Sequence, residues 1–137
     1  MKYSFPNPNN NPWIDKYNSL VDEVSRHELE YIAFKKTQPK RNDQDPGSWT
    51  KDSIGVHHII PKKIDPSLKN DRNNWLYVSF IDHCTLHYYL WKADPQYAPH
   101  LMFIAYAGRK MGLWDMPGGE DEWEELRKDI RKNKKKE

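Results

Sequence analysis

Residues 53–61 read SIGVHHIIP, a short run of mostly apolar, β-branched side chains that carries two adjacent histidines and stops at a proline. This length and composition predict a β-strand, on which His57 and His58 project to opposite faces unless the strand bends. A polar, turn-rich segment follows, and residues 75–78 (WLYV) then predict a second short strand. The histidine pair is therefore expected on the first of two successive strands.

A helix is expected directly after the second strand. Ser79 and Asp82 have the Ser-x-x-Asp spacing of a capping box, which marks a helix start. The helix is expected to end before Asp94, because a residue that precedes proline avoids helical geometry. His83 and His87 are four residues apart on this helix, so their side chains lie one above the other on the same face. Two imidazoles at that spacing can bind one metal ion.

Four of the six histidines of the chain fall in this strand–loop–strand–helix unit. The first strand can pack back on the helix, which brings one of the paired histidines to the two helical ones. Three neutral imidazoles then hold one divalent cation and leave a coordination position open. The fourth histidine stays unligated and can accept a proton from water at neutral pH. A metal ion beside a free base predicts a hydrolytic site.

Three segments of this unit together resemble the motif of the HNH endonucleases. They are residues 56–61 (VHHIIP), 74–78 (NWLYV) and 83–87 (HCTLH), and the resemblance spans residues 55–91 of 137. The fold that it implies is the ββα-metal finger, which colicin-type DNases share with small phage-encoded and homing endonucleases. The sequence departs from many members in having no Cys-x-x-Cys pairs for a structural zinc, and in having Asp-Pro-Ser at 65–67 where Gly-Gly is common.

The resemblance assigns a role to each motif residue. It implies that His57 ligates the metal and that His58 is the general base. Asn74 is the middle asparagine, which in the family orients the base or braces the loop. His83 and His87 complete the set of metal ligands. The implied activity is hydrolysis of phosphodiester bonds in double-stranded DNA, leaving 5′-phosphate and 3′-hydroxyl ends.

The resemblance also implies the cofactor, one divalent metal ion. Mg²⁺ or Mn²⁺ is expected to support activity, and a histidine-rich shell is expected to bind Zn²⁺ or Ni²⁺ as well. No small-molecule cofactor is expected. Two other functions stay open: a non-catalytic nucleic-acid-binding module with a structural zinc, and an RNA-cleaving toxin.

Basic residues near the motif are candidates for contacts with nucleic-acid phosphates. Lys62, Lys63 and Arg72 lie in the loop between the two strands. Residues 127–136 carry seven basic side chains and one acidic one, and they form either a solvated helix end or a basic arm on a phosphate backbone. The net charge of the whole chain is only +2, which by itself does not indicate a nucleic-acid-binding protein.

The flanking sequence predicts helices around the motif, and hence a single α+β domain with the finger embedded among helices. Residues 1–12 are expected to form a flexible lead-in, and residues 13–52 an N-terminal helix followed by a long loop. That helix begins after Asn11 and either breaks near Ser25 or runs through Phe34. The finger core is expected over 53–94, and helices over 97–111 and 120–132, with a basic tail, complete residues 95–137.

Composition excludes several classes of protein. A single cysteine, Cys84, rules out an internal disulfide framework and a four-cysteine zinc site. No apolar run approaches the roughly 20 residues that span a bilayer, so no membrane partner is expected. The first ten residues lack the apolar core of a signal peptide, and a cytoplasmic location is expected. The resemblance to HNH endonucleases implies that the protein is bacterial or is encoded by a phage in a bacterial host. Aromatic residues make up 13% of the chain, so large rings are expected to supply much of a small core.

Overall fold

The structure, a computed structural model, is a small α+β domain. It describes residues 2–38, 50, 52–97, 100–110 and 118–136, apart from the side chains of some residues in the last two helices. Within these ranges, five α-helices accompany one two-stranded antiparallel sheet. In chain order the helices and strands are α1 (Pro12–Ser25), α2 (Glu28–Lys35), β1 (Ile54–His58), β2 (Trp75–Ser79), α3 (Phe80–Ala93), α4 (His100–Lys110) and α5 (Glu120–Lys136).

The two strands lie where the sequence predicts them and form an antiparallel pair. In the register of the pair, His57 is opposite Leu76 and His58 is opposite Trp75. The first strand ends at His58, earlier than the apolar run suggests. Beyond it, the backbone of Ile59 still bonds to the chain before β2, since its N–H donates to the Asn74 carbonyl at 2.9 Å.

Helix α3 confirms the capping prediction. The Ser79 hydroxyl oxygen accepts a hydrogen bond from the Asp82 backbone N–H at 3.3 Å, which satisfies one of the free donors of the first turn. The helix ends at Ala93, and Asp94 is its C-cap, as expected for a residue that precedes a proline. Because the β2–α3 junction has no intervening loop, the hairpin and the helix are held close together.

One hydrophobic core joins α1 to the sheet and to one face of α3. The apolar stripe of α1 recurs at three- and four-residue steps, which places its large side chains on one face. Leu76 and Val78 of β2 and two leucines of α3 close this core from the other side. Its buried members are Phe5, Ile14, Tyr17, Val21, Val24, Ile59, Leu76, Val78, Leu86 and Leu90.

A second core joins the other face of α3 to α4 and α5. It is rich in aromatic rings, as the composition predicts, and Tyr88 stacks on Trp123 with ring centroids 6.1 Å apart. Helix α3 thus contributes to both cores, which fixes its rotation about its own axis. The buried members of the second core are Phe80, Cys84, Tyr88, Trp91, Ala105, Trp123 and Leu126.

The N-terminal segment differs from the flexible lead-in that its proline- and asparagine-rich sequence suggests. Phe5 is buried beside Tyr17, with ring centroids 5.7 Å apart. The Asn18 side chain bonds both polar groups of the Phe5 backbone, accepting from its N–H at 2.8 Å and donating to its carbonyl at 2.9 Å. Further along, the Tyr3 N–H donates to the Asn73 carbonyl. One buried ring and these backbone bonds dock the segment onto the domain.

The helical pattern that starts at Pro12 breaks at Ser25, the first of the two alternatives. Asn11 caps α1 as expected, and its side chain accepts from the Trp13 N–H at 2.8 Å. The separate helix α2 then leaves Leu29 83% exposed, so the apolar periodicity beyond Ser25 does not continue the same buried face.

Some sequence predictions fall outside the described residues. They include most of the long loop expected before residue 53 and the end of the helix expected over 97–111. Helix α5 itself continues to Lys136, beyond the predicted end at 132. In the described part of the chain, no helix combines the length and the apolar character needed to cross a bilayer.

Candidate metal centre

Three imidazole rings converge between β1 and α3. The ring centroid of His57 lies 4.9 Å from that of His83 and 4.8 Å from that of His87, and the two helical rings are 4.9 Å apart. One ligand nitrogen from each ring can be chosen so that all three lie within 4.8 Å of one another. The structure thus brings together the three residues that the resemblance implies as metal ligands.

Local structure explains why these rings meet. His83 and His87 are one turn apart on α3, so both project from the same face of the helix. Side chains alternate along β1, so His57 points toward α1 and α3 while His58 points to the other face of the sheet. His57 is only 1% exposed, and the two helical histidines are half-buried. The cluster is therefore buried at His57 and partly accessible to solvent at His83 and His87.

The donor set fits a divalent cation. In the described part of the chain, no group hydrogen-bonds to Nδ1 of His57, although this atom is buried. A buried polar atom without a partner costs roughly 1–3 kcal/mol, and coordination to a metal removes that cost. A tetrahedral zinc ion with bonds of about 2.0–2.1 Å needs ligand nitrogens roughly 3.4 Å apart, and the candidate ligand atoms of the three histidines lie within 4.8 Å of one another.

The electrostatics of the cluster favour the neutral ligand form of the imidazoles. Burial lowers the pKa of His57 well below its usual range, and the nearby His87, His83 and His58 lower it further. Burial also lowers the pKa of His87 to about 4. Their ring nitrogens are therefore not blocked by a second proton at neutral pH, as metal binding requires.

These pKa shifts predict the pH dependence of the metal-free protein. Below about pH 6.5 the unfolded chain protonates both histidines, whereas the folded chain resists protonation of His87 down to about pH 4 and holds the pKa of His57 well below its usual range. The free energy of unfolding is therefore highest above pH 6.5 and falls as the pH is lowered. We expect the free energy of unfolding in urea to drop by about 2 kcal/mol or more between pH 7.5 and pH 5. For His87→Gln the free energy of unfolding should depend less steeply on pH. If the free energy of unfolding of the unmodified chain did not change with pH, the lowered pKa values of His57 and His87 would be contradicted.

His58 lies apart from the cluster and is held by backbone and by an aromatic ring. Its Nε2 lies 3.1 Å from the Lys69 carbonyl oxygen, and its ring meets Trp75 edge-on at 6.3 Å. The Trp75 indole N–H donates to the same carbonyl at 2.8 Å. A carbonyl only accepts, so the neutral His58 ring carries its proton on Nε2 and keeps a lone pair on Nδ1. This ring is half-buried, and it is fixed in the tautomer that a base needs.

Asn74 braces the loop that follows β1. It is 1% exposed, its Oδ1 accepts from the Ile60 N–H at 2.8 Å, and its Nδ2 donates to the Ile60 carbonyl at 3.0 Å. A longer contact of 3.5 Å joins Nδ2 to the Leu68 carbonyl. The Asn74 side chain therefore continues the hydrogen bonding between the strands beyond the end of β1, to Ile60. Of the two roles that the resemblance offers for this asparagine, the hydrogen bonds favour bracing the loop over orienting His58.

The basic residues predicted to contact phosphates are on the surface. Lys62, Lys63 and Arg72 are all exposed in the segment that connects the strands, and Lys69 in the same segment is exposed as well. The sequence argument missed Lys69, whose carbonyl orients His58, because nothing local distinguishes it from other surface lysines.

Tyr17 is a second residue that the sequence argument missed. It appears in the sequence as one member of the apolar stripe of α1, yet its hydroxyl lies 2.6 Å from Nε2 of His57. A tyrosine at a fully buried helix position signals that its hydroxyl needs a partner, and that signal points to no particular residue.

Cys84 lies next to His83 in the chain but is not part of the cluster. It is completely buried in the second core, on a different face of α3. Burial raises the pKa of its thiol, which disfavours the thiolate that ligates metals. Among the described residues, the cluster consists of three histidines.

Comparison of the chain with models of known protein families, with curated proteins and with solved structures finds no significant match. The case for a function therefore depends on the motif and on the geometry of the histidine cluster.

Proposed function

We propose that this protein is a metal-dependent DNA endonuclease of the HNH type, in which β1, β2 and α3 form a ββα-metal finger. One observation carries the proposal: three imidazoles from β1 and α3 converge, and a fourth histidine adjacent to one of them is held separately, through its Nε2, by the Lys69 carbonyl. In this arrangement His57, His83 and His87 bind one divalent cation and His58 is the general base.

The number of ligands supports an enzyme over a structural zinc module. Structural zinc sites are closed by four protein ligands, whereas catalytic sites use three and leave a position for water or substrate. In the part of the chain described here, the cluster has three ligand-type side chains, and Cys84 is buried elsewhere. Both helical histidines keep part of their surface exposed, and this is the side from which an oxygen of the substrate would approach.

Each residue of the site has a separate role in hydrolysis. When bound, the metal ion stabilises negative charge on the phosphoryl group and on the leaving oxygen. His58 accepts the proton of the attacking water at Nδ1, while the Lys69 carbonyl keeps its Nε2–H fixed. Asn74 holds the loop after β1, so that His58 and the segment behind it keep their positions.

The segment between the strands provides charge for a polyanion. Residues 61–74 contain four basic and two acidic side chains, and all four basic ones are exposed. Contacts from lysine and arginine to phosphates position a nucleic acid without reading its sequence. Because this segment begins directly after the strand that carries His58, a backbone bound to it passes close to the proposed base.

Incubation with supercoiled plasmid tests the proposal. We expect nicked or linear product in the presence of Mg²⁺ or Mn²⁺, with ends that carry 5′-phosphates, and no product after chelation. Ni²⁺ and Zn²⁺ are included because a three-histidine shell binds them well. Duplex DNA and RNA of the same sequence are compared side by side. Cleavage of RNA alone would contradict the proposal that DNA is the substrate. Tightly bound metal without cleavage of either nucleic acid would contradict the proposal that the protein is an enzyme.

A further inference from the structure

We propose that Tyr17 is a positioning residue of the metal centre, whose hydroxyl holds His57 in the tautomer that presents Nδ1 to the cation. The inference rests on the metal site of the proposed function but not on nuclease activity. It assigns to helix α1, which lies outside the strand–strand–helix unit, a part in metal binding that acts through the orientation of His57.

The hydrogen bonds around the Tyr17 hydroxyl determine the tautomer. The hydroxyl oxygen lies 2.6 Å from Nε2 of His57 and 2.6 Å from the carbonyl oxygen of Ile59. A carbonyl has no proton to give, so the single hydroxyl proton is donated to Ile59. The same oxygen must then accept from His57, which puts the imidazole proton on Nε2. The neutral ring consequently has its lone pair on Nδ1.

The lone pair assigned in this way is on the atom that lacks a partner. In the described residues, Nδ1 of His57 is buried and makes no hydrogen bond, and the ring lies within 5 Å, centroid to centroid, of His83 and His87. The opposite tautomer would bury an N–H there without an acceptor and would leave the hydroxyl oxygen facing a second lone pair. The hydrogen bonds from His57 to Tyr17 and from Tyr17 to Ile59 thus satisfy these buried polar groups, and they also leave Nδ1 of His57 as the ligand nitrogen.

The position of Tyr17 is fixed by the packing of the N-terminal part of the chain. Its side chain has no exposed surface, and its ring contacts Phe5 at 5.7 Å and His57 at 5.8 Å. Hydrogen bonds from a second residue to a metal-ligating histidine set its tautomer and orientation, and their loss typically costs 10- to 100-fold in metal affinity. The docking of α1 therefore contributes to metal affinity as well as to folding.

The variant Tyr17→Phe tests the inference, because it removes the hydroxyl and keeps the ring. We expect its affinity for Zn²⁺, measured by competition with a chromophoric chelator, to fall by about 10- to 100-fold. Tyr88→Phe is the matched control. Tyr88 is buried too, but its hydroxyl donates to Glu122 at 2.7 Å in the second core, so this variant should bind zinc like the unmodified chain.

A nitrogen NMR measurement on the unmodified protein gives a readout that does not depend on a variant folding. We expect the ring of His57 to show the Nε2–H tautomer without metal and ligation through Nδ1 after zinc is added. The proposal is overturned if His57 carries its proton on Nδ1, or if Tyr17→Phe binds zinc within twofold of the unmodified chain. Because neither experiment involves DNA, both results are independent of whether the protein cleaves it.

Discussion

Replacement of His58 by alanine is expected to lower metal-dependent DNA cleavage by about 10²- to 10⁴-fold, the usual contribution of a general base. The metal affinity should stay unchanged, because the side chain of His58 bonds to the Lys69 carbonyl and is not one of the three converging rings. The combination of lost cleavage with intact metal binding separates a base from a ligand.

The cleavage rate on supercoiled plasmid and the zinc affinity are measured on the same preparations. His27→Ala is a suitable control, since the side chain of this histidine is 54% exposed on the surface and lies at a long distance of 3.9 Å from Glu30. It should behave like the unmodified chain in both assays. Equal cleavage by His58→Ala and the unmodified chain would remove His58 from the mechanism.

His87→Ala is expected to weaken zinc binding by at least about 100-fold and to abolish cleavage with it. One of three ligands is lost, and no other ligand-type side chain of the described chain lies in the cluster to replace it. A ligand that binds only the folded state raises the free energy of unfolding, so zinc should raise the Tm of the unmodified protein and not that of the variant.

Thermal unfolding with and without zinc, followed by circular dichroism, measures this difference. In metal-free buffer the variant should still unfold cooperatively, because both hydrophobic cores are built from other residues. The control is again His27→Ala, which should keep the full zinc-induced rise in Tm. A variant His87→Ala that zinc stabilises as strongly as it stabilises the unmodified chain would contradict the assignment of His87 as a ligand.

The hairpin and α3 could be predicted from sequence because the signals that define them are local. Apolar composition and a terminal proline define β1, and the Ser79–Asp82 cap starts α3 within a few residues of where the pattern indicates. The spacing of His83 and His87 on one helix face is likewise a local property. The sequence left open which member of the histidine pair joins them, and the resemblance to the HNH motif pointed to His57.

The parts of the site that sequence analysis missed depend on tertiary structure. The hydrogen bond from Nε2 of His57 to the Tyr17 hydroxyl joins residues 40 positions apart, and no periodicity encodes it. Lys69 contributes through its backbone carbonyl, and a backbone group carries no mark in the sequence. The composition of the N-terminal segment suggests flexibility, whereas the side chain of Asn18 bonds to the backbone of Phe5 and holds it in place.

X-ray absorption spectroscopy of the zinc-loaded protein tests the convergence of three histidines on one cation most directly. We expect one zinc ion per chain, with three imidazole nitrogens and one oxygen at about 2.0–2.1 Å. The same spectrum is expected for His58→Ala, and one imidazole fewer for His87→Ala. Three results would contradict binding of one cation by His57, His83 and His87 alone. They are a sulfur ligand, a shell of four protein ligands, and the loss of an imidazole on mutation of His58.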